Sequence, residues 1–384
     1  MNKKFVQIIF IALVSAVTAL PLFFIDLTPN QVSEREKRKL QELPTVTDVA
    51  PDLSPTEKAV QLAREAESFV EDRIGFREEL INIGQDIQNI AEPIERTDGG
   101  YVYLNGREGH KFFAYNNGWL IDKFQGTPLL SEDEQQVVAA VLNYIASYLR
   151  ERDIPLIIFF CPDKDSVYPE YYPVIYKQAD PPIPLDAVTN YMREHVKADV
   201  YNIKDTLISY KEKYLVYNKA EGDLEHYNSI GAFIEYQELI KHMQVYFPDM
   251  KALSFDDVTI SYDEDGIPYV KMNNVSGISA LGAEFFADLP PSSSWHYAGF
   301  VNDNASLPTA LFIRDSYYDY GGYGYFTAAN FHYSIGIHYR FVANFKEFVE
   351  MYKPDVVVIE VAERQIPSFG RYMTAYYEGR AAGE

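Results

Sequence analysis

Two apolar runs, far apart in the chain, limit the fold more than any other feature. Leu156-Ile157-Ile158-Phe159-Phe160 and Val356-Val357-Val358-Ile359 are continuous and rich in β-branched and aromatic residues. Runs this short have strand length, and their lack of alternation implies cover on both faces, as in the middle of a parallel sheet. Ser131-Glu132-Asp133-Glu134 opens a helix toward Arg150, with Val137, Val138, Val141, Leu142, Ile145 and Leu149 at helical spacing. Further helices are expected over 185–197 and 229–245, and from Ser54 toward Asp72, where Ser54, Pro55 and Glu57 carry a start signal. Short strands are expected at 101–104 and 119–121. Buried strands alternating with amphipathic helices predict an α/β doubly wound layer, whose ligands sit beyond the carboxyl ends of the strands. There is no internal repeat and no metal-ligand cluster along the chain. Gly321, Gly322 and Gly324 lack the following lysine of a phosphate loop.

The N-terminus carries a separate signal. Asn2-Lys3-Lys4 precedes an uncharged run over residues 5–25, long enough to span about 30 Å of hydrocarbon as a helix. A cleavable signal peptide has a shorter apolar core of about 7–15 residues. Val17-Thr18-Ala19 would serve as a cleavage site, but Leu20, Leu22, Phe23 and Phe24 continue the run. The expectation is an uncleaved signal anchor, with Lys3 and Lys4 in the cytoplasm and the rest outside. Residues 26–56, with mixed charge and prolines 29, 44 and 51, read as a polar stalk. A domain over 57–375 and a tail over 376–384 follow.

With a net charge of −22, the chain is expected to repel nucleic acid and anionic membrane. The same charge argues against a polyanionic glycan, unless a basic groove is hidden within the average. Cys161 is the single cysteine, so no intrachain disulfide and no multi-cysteine zinc site is available.

The chemistry concentrates in two segments. Thr309-Ala310-Leu311-Phe312-Ile313 runs into Arg314-Asp315-Ser316-Tyr317, a buried strand that delivers a serine at its carboxyl end. Upstream, Asp223-Leu224-Glu225-His226-Tyr227-Asn228 places a histidine and two carboxylates at a helix entrance capped by Asn228 or Ser229. These are the parts of an activated serine nucleophile. His296 is a rival base, while His332 and His338 read as strand or loop positions. Glu225 is adjacent to the histidine and so points elsewhere; Asp223, across a turn, folds round more easily. The Ser316 N–H is the first oxyanion donor expected, and the loop 161–166 is to supply the second. Arg314 either binds substrate or pairs with Asp315 or Glu363.

Several stretches in order resemble the AlgX/AlgJ-type alginate O-acetyltransferases, SGNH-hydrolase-like proteins named for a DHHW motif. They include Asn117-Gly118-Trp119-Leu120, Pro162-Asp163-Lys164-Asp165-Ser166, His226-Tyr227-Asn228 with Gly231-Ala232, Arg314-Asp315-Ser316, and Pro354 through Arg364. The resemblance spans about residues 60–370. It implies an SGNH-hydrolase-like sheet, mostly parallel. It also implies that Ser316 carries an acetyl group, with His226 as base, toward an extracytoplasmic polysaccharide. A membrane-bound O-acyltransferase would supply the acetyl groups, and no cofactor or metal is called for. Substrate and oxyanion candidates are Arg314, Asp315, Tyr317, Tyr227, Lys164 and Ser166. The chain departs from the family pattern at Leu224, where the motif has its aspartate, and at Tyr227, where it has tryptophan. Asp223 or Glu225 takes that role, or the pair Ser316–His226 works alone. A carbohydrate acetyl esterase and a non-catalytic scaffold of a polysaccharide export complex are the alternatives.

Overall fold

A computed structural model describes residues 15, 19–33, 38–45, 53–77, 79–81, 83, 84, 87, 94–97, 100–115, 118–290 and 294–381. The run over 5–25, expected as an anchor, lies largely outside them. Among the described residues no helix is long and apolar enough to cross a membrane. The chain divides into two compact units, residues 1–88 and 89–384.

In the first unit, β1 (Val32–Ser33) and β2 (Arg38–Lys39) pair antiparallel within the segment read as a stalk. α1 (Pro55–Arg73) begins on the expected capping box, Ser54 with Glu57. At its far end Arg73 is buried and donates to the Gln41 carbonyl at 2.7 Å.

The second unit opens with an antiparallel three-stranded sheet, β3 (Ile94–Arg96), β4 (Val102–Asn105) and β5 (Lys111–Phe113). The strand expected at 119–121 is instead the first turn of α2 (Trp119–Phe124). Gly118, left-handed at φ 73°, starts the turn, and Leu120 and Phe124 are buried four residues apart, a helical rather than an alternating pattern.

Then come α3 (Glu132–Arg150), β6 (Leu156–Cys161), α4 (Lys164–Val167), α5 (Pro184–His195), β7 (Asp199–Asn202), α6 (Lys204–Lys211) and α7 (Ser229–Met243). A hairpin, β8 (Val258–Tyr262) and β9 (Pro268–Met272), precedes β10 (Ile278–Ala280), β11 (Tyr297–Asn302) and β12 (Thr309–Arg314). The chain ends with α8 (Tyr323–Thr327), β13 (Tyr333–His338), α9 (Phe345–Tyr352), β14 (Val356–Ala362) and α10 (Ile366–Ala381).

Seven strands form the central sheet in the order β10-β11-β13-β12-β14-β6-β7. The five from β13 to β7 run parallel, and β11 is antiparallel to both its neighbours. Every residue of β6 and β14 is buried, which is why both read as unbroken apolar runs. One core cluster lies on each face. One includes Phe159, Phe233 and Phe312; the other includes Leu142, Ile158 and Ile359. The parallel strands all end at one edge, where the chain reaches Pro162, Ser316, His338 and Glu363 together.

Candidate active site

Ser316 follows a strand that is stopped by a carboxylate. The Asp315 oxygens accept the N–H of Tyr317 at 2.9 Å and of Ala362 at 2.6 Å, turning the chain into a 3₁₀ turn over Ser316–Asp319. That ties the end of β12 to the end of β14 and leaves Ser316 half-buried at the head of the turn. Burial pushes the Asp315 carboxyl up, against these two bonds.

His226 sits on the loop before α7, and the loop is fixed on both sides. Tyr227 bridges antiparallel to Tyr217, and the Asn228 N–H donates to the Val216 carbonyl at 3.0 Å. Asn228 caps the helix through the N–H groups of Ile230 and Gly231. Gly231 is needed there, because a Cβ would stand 2.6 Å from the Val216 oxygen.

Asp223 closes an Asx turn on its own loop. Its Oδ1 accepts the N–H of Glu225 at 2.8 Å and of His226 at 3.1 Å, while Oδ2 lies 2.8 Å from His226 Nδ1. On the other side of the ring, His226 Nε2 lies 2.8 Å from Ser316 Oγ. Burial opposes ionisation of Asp223, but the bonds from His226 and the two N–H groups outweigh it and hold its carboxyl below the usual range.

Arg364, at the carboxyl end of β14, sets the tautomer. Its Nη2 lies 3.1 Å from His226 Nε2. A guanidinium only donates, so Nε2 accepts and the ring proton belongs on Nδ1, facing Asp223. The Ser316 hydroxyl then shares the one Nε2 lone pair with Arg364, at 2.8 Å against 3.1 Å. Arg364 is itself held by Asp163 Oδ1 at 2.8 Å, the Glu225 carbonyl at 2.7 Å and the Tyr317 hydroxyl at 3.1 Å. Behind it, fully buried Lys123 gathers Asp163, Asp165 and Glu363 at 3.0, 2.9 and 3.2 Å. The ring of His226 stacks on Tyr320 at 4.0 Å and meets Tyr317 edge-on at 4.9 Å. Tyr320 reaches it through Gly321, left-handed at φ 64°, where a Cβ would strike that of Ala232 at 2.7 Å.

Ser316, His226 and Asp223 therefore come together as expected, and several other candidates do not. Glu225 contributes its N–H and carbonyl but not its carboxylate, because neighbouring side chains diverge. Arg314 is fully buried and forms its ion pair with Asp319 at 2.6 Å rather than with the carboxylate of Asp315 or Glu363, and it donates to the Asp315 carbonyl at 3.0 Å. Asp315 is spent on two main-chain bonds. Tyr317 is buried, with its hydroxyl on the carbonyls of Pro162 and Glu225. Tyr227 is buried against Cys161, its hydroxyl 3.9 Å from the sulfur. Lys164 donates to three carbonyls, those of Lys111, Asn218 and Lys219, and burial pushes its ammonium down to about 7. Ser166 is buried and donates to Glu363 at 3.0 Å. His296 faces Arg340 at 2.8 Å and not the serine.

A cleft of about 530 Å³ opens beside Ser316, lined also by Trp295, His338, Arg340, Gln365 and Tyr372. Arg371 joins that lining. Among the described residues neither Arg340 nor Arg371 has a carboxylate partner, so the cleft presents two guanidinium groups. The low value of His338, about 3, comes from burial and then from Arg314, His296 and Arg340. The sequence reading missed Arg364, Tyr320 and this lining. Arg364 had a usable signal, since it follows a buried strand at the ligand-bearing edge.

Fold and geometry together define an α/β protein with a serine–histidine–aspartate relay at the carboxyl edge of a mostly parallel sheet. No protein-family model matches the sequence, and no curated protein matches it. Solved structures do. PatB1 of Bacillus cereus matches at 14% identity and TM-score 0.50, over 69% of this chain and 97% of that chain. A DHHW family protein from Eubacterium siraeum matches at 12% identity and TM-score 0.49, over 74% and 97%. The O-acetyltransferase domain of Pseudomonas putida AlgJ matches at 16% identity and TM-score 0.42, over 72% and 99%. At 14% identity, the likeness to PatB1 is one of fold.

Proposed function

We propose that this chain moves an acetyl group through Ser316 to hydroxyls of an extracytoplasmic polysaccharide. The observation that carries the reading is the continuous relay Asp223–His226–Ser316, with both links at 2.8 Å. In the first step His226 Nε2 takes the Ser316 proton as Oγ attacks the donor carbonyl, and the leaving group collects that proton as it departs. In the second, a sugar hydroxyl gives its proton to Nε2, attacks the acetyl-serine and leaves as the ester, and Oγ regains the proton. Asp223 offsets the charge on the imidazolium. The Ser316 N–H and Arg364 stabilise the oxyanion. The acceptor lies in the cleft, where Trp295 and Tyr372 offer ring faces to sugars.

Residues 5–25 anchor the protein in the cytoplasmic membrane with this domain outside, where a membrane-bound O-acyltransferase supplies acetyl groups. Leu224 favours a non-catalytic scaffold; Asp223 reaching Nδ1 from one residue further back supports the catalytic reading instead.

The test supplies full-length protein with an activated acetyl ester and oligosaccharides, and follows sugar ester and free acetate separately. Acetylated sugar formed at the expense of acetate is the expected result. Fast acetate release that no acceptor diverts would make the protein an esterase.

A further inference from the structure

Beneath the relay the core holds a cluster that acetyl transfer does not use. Cys161 ends β6, Glu360 lies in β14 and Glu235 in α7, and all three are 0% exposed. Cys161 Sγ is 3.4 Å from Glu235 Oε1 and 3.7 Å from Glu360 Oε1, and the three donor atoms fall within 4.8 Å of one another. An ion-free arrangement leaves polar atoms stranded. With both carboxylates ionised, the one proton of the thiol can satisfy only one of the two oxygens. Glu235 Oε2, Glu360 Oε2 and the hydroxyls of Tyr201 and Tyr323 are buried and have no hydrogen-bond partner among the described residues. The two tyrosines border the same cluster, both being charge neighbours of Glu235 and Cys161, and Tyr323 of Glu360 as well. Native interiors seldom leave so many polar atoms unmet in one place.

The spacing suits a metal ion. With metal–sulfur near 2.3 Å and metal–oxygen near 2.1 Å, tetrahedral angles put sulfur and oxygen about 3.6 Å apart. We propose that Cys161, Glu235 and Glu360 hold a divalent cation of the zinc class. The thiolate favours such an ion over magnesium or calcium. A site with no opening takes up its ion during folding and is structural. It joins β6, β14 and α7, whose ends carry Asp163, Arg364 and the His226 turn. Such an ion would be present whatever reaction Ser316 performs. No spacing motif announces it, because Glu235 and Glu360 lie 74 and 199 residues from Cys161.

The experiment is metal analysis of full-length protein purified without chelator, beside Glu235→Gln and Cys161→Ser, with a cobalt-loaded sample for spectroscopy. The expected result is one ion per chain and a thiolate-to-cobalt charge-transfer band in the near ultraviolet. Both variants should lose the ion and melt at a lower temperature. Glutamine mimics a protonated glutamate, so a Glu235→Gln protein as stable as the wild type would overturn the site. So would metal-free wild type, or bound metal whose cobalt form lacks the thiolate band.

Discussion

Two charged constellations meet at Arg364 and are built in opposite ways. On one side, Asp223, His226 and Ser316 form a line of hydrogen bonds, joined at Nε2 by Arg364. His226 and Asp223 rest on a short loop, and Ser316 borders the open cleft. On the other side, Lys123 is closed in by three carboxylates and has no position left for a ligand. Burial drives Asp165 and Glu363 up, while Lys123 and Arg364 draw Asp163 down despite burial. The line has groups free to exchange a proton; the closed cluster holds Arg364 in place. Perturbed, buried charge beside a cleft thus marks support as readily as chemistry, and access to the cleft is the better guide.

Substitutions should separate the two in a graded way. Ser316→Ala or His226→Ala should remove about 10⁶ in rate, by analogy with other serine relays, while the melting temperature stays put; turnover and thermal melts together check this. Asp223→Asn should cost about 10⁴ in rate. Glu225→Gln should stay within a few-fold of wild type, and equal losses in the two would break the assignment of Asp223.

Lys123→Met works the other way round. It strands three buried carboxylates, and a loss of about 3–5 kcal/mol of stability is expected in a denaturant melt. A Lys123→Met protein that melts like the wild type would show the closed cluster to be no support.

The smallest effect concerns acid. The folded Asp223 carboxyl lies below its ordinary value of 3.8, so its contribution to stability is complete above that value and lost as pH falls through the lower folded one. Melts of wild type and Asp223→Asn should therefore converge as the pH drops below 3.8.

Much of this could be read in the chain beforehand. The runs in β6 and β14 announced a covered parallel sheet because every residue in them is buried. Ser316 and His226 were visible because one ends such a run and the other precedes a capped helix. The Asx turn was half legible: Asp223 could be preferred over Glu225 on direction alone, but the turn that aims it depends on the Tyr217–Tyr227 bridge. Arg314 and Arg364 show the limit. Both end buried strands, and only the three-dimensional partners, Asp319 for one and His226 for the other, tell structure from site. The strand expected at 119–121 failed because a three-residue window cannot distinguish a helical turn headed by a left-handed glycine.

Acetylation of Ser316 is tested most directly by intact-mass spectrometry after mixing the protein with an activated acetyl ester. A single acetyl adduct on the wild type, mapped to Ser316 and missing from Ser316→Ala and His226→Ala, is the predicted result. Folded wild type that takes up no acetyl group, or takes it elsewhere, would contradict the account.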